Sequence, residues 1–457
     1  MGRIIDQLAI SGIHSAGKAV GVHEGKNIFV PFSVPGDVVS VELDRRQRGF
    51  YSASILAIKQ ASESRVSPFC KHFGQCGGCN WQHMSYAEQL QLKRQILVNA
   101  LQKYQIDTPE VPDVIPSPDN RGFRNKLEFA FASEGIGVDG SSIKNAVGFH
   151  PVDRRDVVLS IEECFLQKEP SHQLAVAIKN IAIRHNLSFW NYSSREGLLR
   201  NLIIRASSTG ERMIIIGFTA DEPEQILPFM EEISSTFKET GSLLYTILSV
   251  PEKGYADGEM IVVRGSGFLN EQMGSIRYRI SPKAFYQPNP KQAYHIYSKI
   301  AELGNFRGDE FVYDLYTGAG TIACFIASKV GHVFGIEGSP DAIVDARHNA
   351  SLNQLSNTTF LCGDVLETFN NDFVSCRQKP DVIILDPPRS GTLIEIKKTI
   401  INSQPQKIIY LSCNPVSLAF DLTMLTRGYK LKAIQPYDMF PHTHHLETLV
   451  LLEKEAI

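Results

Sequence analysis

The chain has 457 residues, 43% hydrophobic and 21% charged, with a formal net charge of −3. It is long enough for several domains with their own cores, and its charge balance excludes nucleic-acid binding driven by an overall basic chain, so any such binding must use local patches. It shows neither an apolar run long enough to span a membrane nor a basic leader with an apolar core, so a cytoplasmic protein without membrane contact is expected.

Residues 1–57 read as five short strands at 7–13, 19–23, 26–31, 37–43 and 51–58, punctuated by Gly and Pro, notably Pro35-Gly36. Strands at this spacing suggest a small, OB-like β-barrel. Arg45, Arg46 and Arg48 are expected in one turn, either as a solvated loop or as a phosphate contact. With its glycine-rich first half, then Ile28-Phe29-Val30-Pro31 and Val34-Pro35-Gly36-Asp37, the segment resembles a TRAM domain, an RNA-binding barrel.

The eight cysteines argue against a disulfide framework in a long chain of this kind. Three of them, Cys70, Cys76 and Cys79, form a C-x5-C-x2-C cluster. Thiolates at such spacing converge on a soft metal or an iron–sulfur cluster, and Gly77 and Gly78 let the backbone fold tightly around it. Cys164 is the best candidate for a fourth ligand, with His72 or His83 as substitutes. Zinc sites usually show two short Cys pairs, and no thioredoxin-like context supports a redox pair at Cys76 and Cys79, so an iron–sulfur cluster is placed ahead of both.

Ser85-Tyr86-Ala87-Glu88 is a capping box opening a helix over 85–104 that packs on the catalytic domain. Pro109, Pro112, Pro116 and Pro118 then mark a linker. Residues 58–281 are read as a central α+β domain carrying the cysteine site, with strands at 127–132, 146–149, 202–206, 213–218 and 242–249 and helices at 172–185 and 224–237. Arg121, Arg124 and Lys126 beside Phe123, and Arg195, Arg200 and Arg205, are two basic clusters that either contact RNA or simply form a charged surface.

From residue 282 to 457 strands and helices alternate. Strands at 311–315, 332–337, 358–362, 382–385 and 407–412, with helices at 321–329, 340–353, 393–402 and 416–426, predict a Rossmann-like doubly wound sheet, extended by strands at 429–435 and 448–452. Asp314-Leu315-Tyr316-Thr317-Gly318-Ala319-Gly320-Thr321 follows the first strand, where glycine lets the backbone approach a ligand. Glu337 ends the second strand, placed for ribose hydroxyls. Asp364 and Asp386 end the third and fourth. Four strand-end acids without a phosphate-binding lysine suit a cationic sulfonium, so S-adenosylmethionine is the inferred ligand. In Asp386-Pro387-Pro388-Arg389, arginine stands where amino-methyltransferases carry a base-stacking aromatic.

Ser412-Cys413-Asn414-Pro415 follows an apolar strand, and proline forces the chain out of the sheet. Cys413 therefore lies at the carboxyl edge, where open α/β folds bind ligands; it is either a nucleophile or an inert buried thiol. A thiolate added at carbon 6 of a pyrimidine makes carbon 5 able to take a methyl group, after which a base must remove the carbon 5 proton. Glu447, at the end of Phe440-Pro441-His442-Thr443-His444-His445-Leu446-Glu447, is the candidate base. The three histidines read as a structural turn in preference to a metal site.

CKHFGQCGGC, FYQPN, DLYTGAG, DPPR, SCNP and FPHTHHLE occur in family order, and the chain resembles, over nearly its whole length, the bacterial RNA 5-methyluridine methyltransferases of the TRAM-domain, iron–sulfur subgroup. The resemblance implies Cys413 as nucleophile, Glu447 as base, and Gln287, Tyr316, Glu337 and Asp386 as cofactor-binding residues, with Asp314, Gly318 and Asp364 alongside. It implies a [4Fe–4S] cluster on Cys70, Cys76, Cys79 and Cys164, and large-subunit ribosomal RNA as the substrate of a monomer. Tyr316-Thr317 departs from the Phe-Cys of many members, a change of packing. Transfer RNA as substrate, cytosine-5 methylation and a non-enzymatic RNA-binding iron–sulfur scaffold are the competing readings.

Overall fold

The computed structural model describes residues 3–455 apart from 48–49, 153, 251–254 and 256–257. Alternating burial closes the first segment on itself. β1 (Ile4–Ile13), β2 (Ala19–His23), β3 (Lys26–Val30), β4 (Val38–Gln47) and β5 (Phe50–Gln60) form a closed barrel in the order β1-β2-β3-β5-β4, filled by Leu8, Ile10, Ile28, Val30, Val39 and Val41. Arg45 and Arg46 belong to β4 and not to a turn, because that strand runs farther than its apolar alternation; Arg48 lies outside the described residues. The buried Asp37 accepts from the backbone N–H groups of Val34 and Ser62, at 2.7 and 2.8 Å, and from Arg65, tying the barrel to the next segment.

After α1 (Tyr86–Lys103) comes a second sheet built from β6 (Lys126–Ile136), β7 (Ser142–Phe149), β8 (Leu159–Ser160), β9 (Leu199–Ala206), β10 (Arg212–Phe218), β11 (Ser242–Ile247) and β12 (Met260–Arg264). Its order is β12-β11-β10-β9-β6-β7-β8. Helices α2 (Ser171–Arg184) and α3 (Pro223–Thr236) cover one face through Ile178, Ile181, Ile226 and Phe229. Phe123, expected near RNA, is buried in this core. Arg205 is an internal strut: its guanidinium donates to the carbonyls of Ser281 and Ala284.

A hairpin of β13 (Leu269–Met273) and β14 (Ile276–Ile280), absent from the sequence reading, packs against the last sheet. That sheet has seven strands: β15 (Phe311–Leu315), β16 (His332–Glu337), β17 (Thr358–Cys362), β18 (Val382–Leu385), β19 (Lys407–Ser412), β20 (Tyr429–Tyr437) and β21 (Glu447–Lys454). Its order is β17-β16-β15-β18-β19-β21-β20. The first five strands are parallel and β21 is antiparallel to both its neighbours. Near-continuous apolar runs such as Val382–Leu385, all buried, are what a sheet covered on both faces requires.

Helices α4 (Pro290–Gly304), α5 (Thr321–Ile326) and α6 (Pro340–Leu352) lie with the hairpin on one face; Tyr278 of β14 donates to the Thr321 carbonyl at 2.9 Å. Between β17 and β18 run two short helices, α7 (Val365–Thr368) and α8 (Asn371–Ser375). On the other face lie α9 (Ile394–Ser403), α10 (Pro415–Leu425) and α1, whose Leu97, Ala100 and Leu101 pack with Leu418 and Leu422. Half of the expected capping box forms: Ser85 Oγ accepts from the Glu88 N–H at 3.3 Å, but the Ser85 N–H donates to the Ser64 carbonyl and the Glu88 carboxylate accepts from the Ser64 hydroxyl instead. Among the described residues no helix is long and apolar enough to cross a membrane.

One buried ion pair locks α1 to the loop between β20 and β21. Lys93 and Asp438, both side chains fully buried, approach to 2.5 Å. Lys93 also donates to the Phe440 carbonyl at 3.0 Å, and Asp438 accepts from the Tyr86 hydroxyl at 2.8 Å. Removing one partner strands the other charge in the interior. Lys93→Met is therefore expected to lower unfolding free energy by about 3–5 kcal/mol, read as the urea midpoint. A destabilisation below about 1 kcal/mol, the range of surface pairs, would show that the pair is not what holds α1.

Candidate active site

The antiparallel ladder of β19 and β21 pairs Ser412 with Thr448. Continued by one residue toward the carboxyl edge, the same register sets Cys413 opposite Glu447. Proline then ends the ladder as the sequence implies. Asn414 caps α10, accepting from the Val416 N–H at 3.1 Å, and Pro415 takes the first helical position. The Asn414 side chain donates to the Arg389 carbonyl at 3.0 Å, joining the loops after β18 and β19.

The expected acids gather at the same edge. Asp386 follows β18, is partly buried, and accepts from Gln287 Nε2 at 3.3 Å. Gln287 is in turn held through its carbonyl by the Asn125 side chain at 2.8 Å. Asp314 accepts from the Thr317 hydroxyl at 2.5 Å, while its Oδ1 is buried without a partner. Glu337 accepts from the backbone N–H groups of Gly318 and Ser339, at 3.1 and 2.8 Å. Gly318 has φ 55° and Tyr316 φ 66°. A left-handed tyrosine costs about 1–2 kcal/mol, and such strain concentrates at functional sites. Asp364 departs from the expected arrangement, because its Oδ1 caps α7 through the N–H groups of Leu366 and Glu367. Phe285 is two-thirds exposed and Gln287 is buried, so FYQPN presents its phenyl ring to solvent and its amide to the site.

Burial dominates the electrostatics. It raises the Asp314 and Asp386 carboxyls to about 7, each helped by a neighbouring acid. Glu447 is pushed well above the carboxylate range by burial and then by Asp386. The Cys413 thiol is raised to about 12 by burial, Glu447 and Asp386, with Arg389 opposing. Without a ligand, the edge thus holds a protonated thiol and acids that ionise less readily than usual, under one opposing guanidinium. Such a site favours a cation, and a carboxyl of raised pKa is a stronger base once ionised.

The loop 438–446 before Glu447 is braced from the N-terminal half. Gln89 accepts from the His442 N–H at 2.9 Å, and the His442 carbonyl accepts from the N–H groups of Asn80 and Trp81, both at 3.0 Å. Asn80 Nδ2 donates to His444 Nδ1 at 3.2 Å, and Trp81 Nε1 donates to the Gly17 carbonyl of the barrel at 2.9 Å. A Cβ on Gly17 would lie 2.4 Å from the His444 ring. His445 meets Arg389 at 3.5 Å. Burial lowers His444 to about 4 and His445 to about 3, so both are neutral struts. The histidines form a structural turn, as expected.

A family model described as tRNA (Uracil-5-)-methyltransferase matches residues 254–455. An uncharacterised RNA methyltransferase of Bacteroides thetaiotaomicron is 41% identical, over 96% of this chain and 99% of its own. The chain belongs to the RNA (uracil-5-)-methyltransferase family. A second relative, an uncharacterised RNA methyltransferase of Porphyromonas gingivalis, is 37% identical over 98% and 100% of the two chains. A tRNA (uracil-54, C5)-methyltransferase of Pyrococcus abyssi, solved with S-adenosyl-L-homocysteine, is 27% identical with TM-score 0.76, covering 98% of this chain and all of that one. This protein is thus an S-adenosylmethionine-dependent RNA methyltransferase, and the non-enzymatic scaffold reading falls.

In the methyltransferase the four clustered cysteines line one cleft of about 1120 Å³. Burial raises Cys76 and Cys164 to about 11 and Cys79 to about 12. Backbone N–H groups point at three of the sulfurs, from His72 and Phe73 to Cys70, Gly78 to Cys76, and Leu166 to Cys164. Gly77 packs under the His150 carbonyl, 2.9 Å from where its Cβ would be. Among the described residues, however, no three His, Cys, Asp or Glu side chains are positioned to hold a metal ion. The convergence expected from the spacing is therefore a shared cleft and not a formed ligand set. His83 does not line the cleft, and both His72 nitrogens are engaged, Nε2 with the Glu162 N–H at 3.2 Å and Nδ1 with Cys70 Sγ at 3.7 Å, which leaves Cys164 the better fourth ligand.

The raised carboxyls give a pH dependence of stability. In the unfolded chain Asp314 and Asp386 ionise near 4, and in the cofactor-free fold near 7. Between those values the folded state keeps protons that the unfolded state releases, so stability falls as pH rises through this window and levels off above it. Each group contributes at most about 4 kcal/mol. The thermal midpoint of cofactor-free protein is expected to drop between about pH 4 and pH 7, and to drop less in Asp386→Asn. An equal drop in the variant would remove Asp386 from this account.

Proposed function

We propose that the protein methylates carbon 5 of a uridine in large-subunit ribosomal RNA, with Cys413 as nucleophile and Glu447 as base. The observation that carries this reading is the register that opposes a thiol to a buried carboxyl at the ligand-binding edge of the sheet. Sulfur bonds to carbon 6 and breaks the 5,6 double bond, leaving carbon 5 enolate-like. Arg389, the one cation lowering the thiol's pKa, favours the thiolate. Bound S-adenosylmethionine supplies the electrophilic methyl group. Gln287, Tyr316, Glu337 and Asp386, with Asp314, Gly318 and Asp364 behind them, form the wall proposed to hold the cofactor, and the partnerless Asp314 oxygen suits a cationic guest. Glu447 then takes the carbon 5 proton, the double bond re-forms, and the carbon 6–sulfur bond breaks. Its raised pKa fits that task near neutral pH.

Transfer RNA is the second reading, favoured by the name of the Pyrococcus abyssi neighbour. The first rests on the resemblance of the TRAM-like and cysteine-cluster sequences to the ribosomal RNA enzymes; the fold does not separate the two, since the Pyrococcus abyssi neighbour spans 98% of this chain, barrel and cysteine cleft included. The experiment is mass-spectrometric mapping of 5-methyluridine in ribosomal and transfer RNA from cells with and without the protein, and from cells carrying Cys413→Ala. Loss of one ribosomal 5-methyluridine in the deletion and in Cys413→Ala is expected. Loss confined to transfer RNA selects the second reading, and an unchanged map contradicts both.

We also propose that Cys70, Cys76, Cys79 and Cys164 hold a [4Fe–4S] cluster in a structural role. The N–H groups aimed at their sulfurs support it, since such donors stabilise thiolates. Methyl transfer needs no electron acceptor, so no redox step is assigned. Protein purified without oxygen should be brown and contain iron; stoichiometric zinc without iron would refute the assignment.

A further inference from the structure

The cysteine cleft is far roomier than four thiols need, and its opposite wall is built for something else. Six lysine or arginine side chains line it against three carboxylates, in a chain whose net charge is −3. On that wall the Arg200 guanidinium lies 5.6 Å from the Trp190 ring and 4.9 Å from the Tyr192 ring, and Nη1 donates to the Tyr192 hydroxyl at 2.7 Å. The guanidinium is thereby fixed as a flat cationic plate. Beside it Asn201 is only 6% exposed, and its Oδ1 is enclosed with no hydrogen-bond partner; Arg200 Nε is in the same state. A buried amide oxygen left unpaired costs about 1–3 kcal/mol, a cost offset when a ligand supplies an N–H.

We propose that this cleft is a second nucleotide subsite, taking a base of the RNA other than the uridine being methylated. The base stacks on the Arg200 plate, its N–H edge faces Asn201, and its phosphates meet the cations of the rim. The inference rests on RNA being the substrate. Continuity of the two sites supports it: Arg124 and Lys126 line the cleft, while Asn125 between them holds Gln287 of the active site at 2.8 Å. The two sites thus share one segment of chain, and a base held in the cleft would contribute to choosing which uridine is presented.

The test uses the full chain with short oligoadenylate, which contains no uridine, and inorganic polyphosphate as a charge-only control. Binding is read by fluorescence anisotropy for wild type, Asn201→Leu and Arg200→Met, with the thermal midpoint and S-adenosylmethionine binding confirming a folded protein. Oligoadenylate should bind wild type and weaken about tenfold or more in each variant, while competition by polyphosphate changes little. Equal weakening of both probes, or of neither, would overturn the base-binding claim and leave at most a charged groove. Photo-cross-linking of oligoadenylate to wild type needs no variant to fold. Cross-links within residues 190–201 support the subsite, and their absence overturns it. Because oligoadenylate cannot be methylated at a uracil, its failure to bind refutes the subsite without touching the 5-methyluridine reading.

Discussion

The site depends on one strand running the wrong way. β21 inserts antiparallel between β19 and β20, at the end of an otherwise parallel run. A parallel strand delivers its residues to the carboxyl edge as it leaves the sheet. An antiparallel strand delivers them as it enters. Glu447 is therefore the first residue of β21, facing the residue just past the end of β19. Two groups 34 positions apart are set opposite each other at the end of a hydrogen-bonded ladder, one residue beyond its Ser412–Thr448 pair, rather than by flexible loops. That rigidity suits chemistry in which sulfur and proton must be handled on one small ring.

Around that pair the fold tolerates an unfavourable charge arrangement. Asp314 and Glu447 are buried and Asp386 partly so, and Arg389 is the cation that opposes the effect of Glu447 and Asp386 on Cys413. Burial and mutual repulsion keep the carboxyls protonated longer than usual. A bound sulfonium would reverse this by favouring their ionised forms. Cofactor binding and stability are thus linked through the same carboxyls, and ligand that binds only the folded state adds stability by mass action.

The entrance to the site is assembled from distant parts of the chain. Trp81 holds the barrel at Gly17, Asn80 holds His444, Gln89 holds His442, and Lys93 holds Asp438. The loop that delivers Glu447 is therefore sandwiched between the barrel and α1. Truncating the N-terminal half would be expected to disturb that loop as well as any RNA contact the barrel makes.

Much of this was legible in the residues. The five parallel strands match their expected bounds because continuous apolar runs between Gly, Asp and Pro leave little freedom of register. Cys413 and Glu447 were legible as motif ends, but their opposition was not, since antiparallel insertion of β21 is a tertiary choice. α4 was missed although Asn289-Pro290 is a cap followed by proline at the first helical position; the FYQPN reading masked it. Asp364 was assigned by its strand-end position, yet a strand-end aspartate before a helix is equally a cap. The β13–β14 hairpin was invisible because its short polar-apolar alternation gains meaning only against α5 and α6.

The most direct measurement of the central claim is the fate of RNA on Glu447→Gln. The amide keeps the shape of the side chain and removes its basicity. Without a base at carbon 5 the sulfur cannot leave, so a covalent protein–RNA complex stable to denaturing gels should accumulate. Peptide mass spectrometry should find it on Cys413, with the uracil already carrying the transferred methyl group. A folded Glu447→Gln protein that turns over normally, or one that is inactive and traps no RNA, would contradict the account.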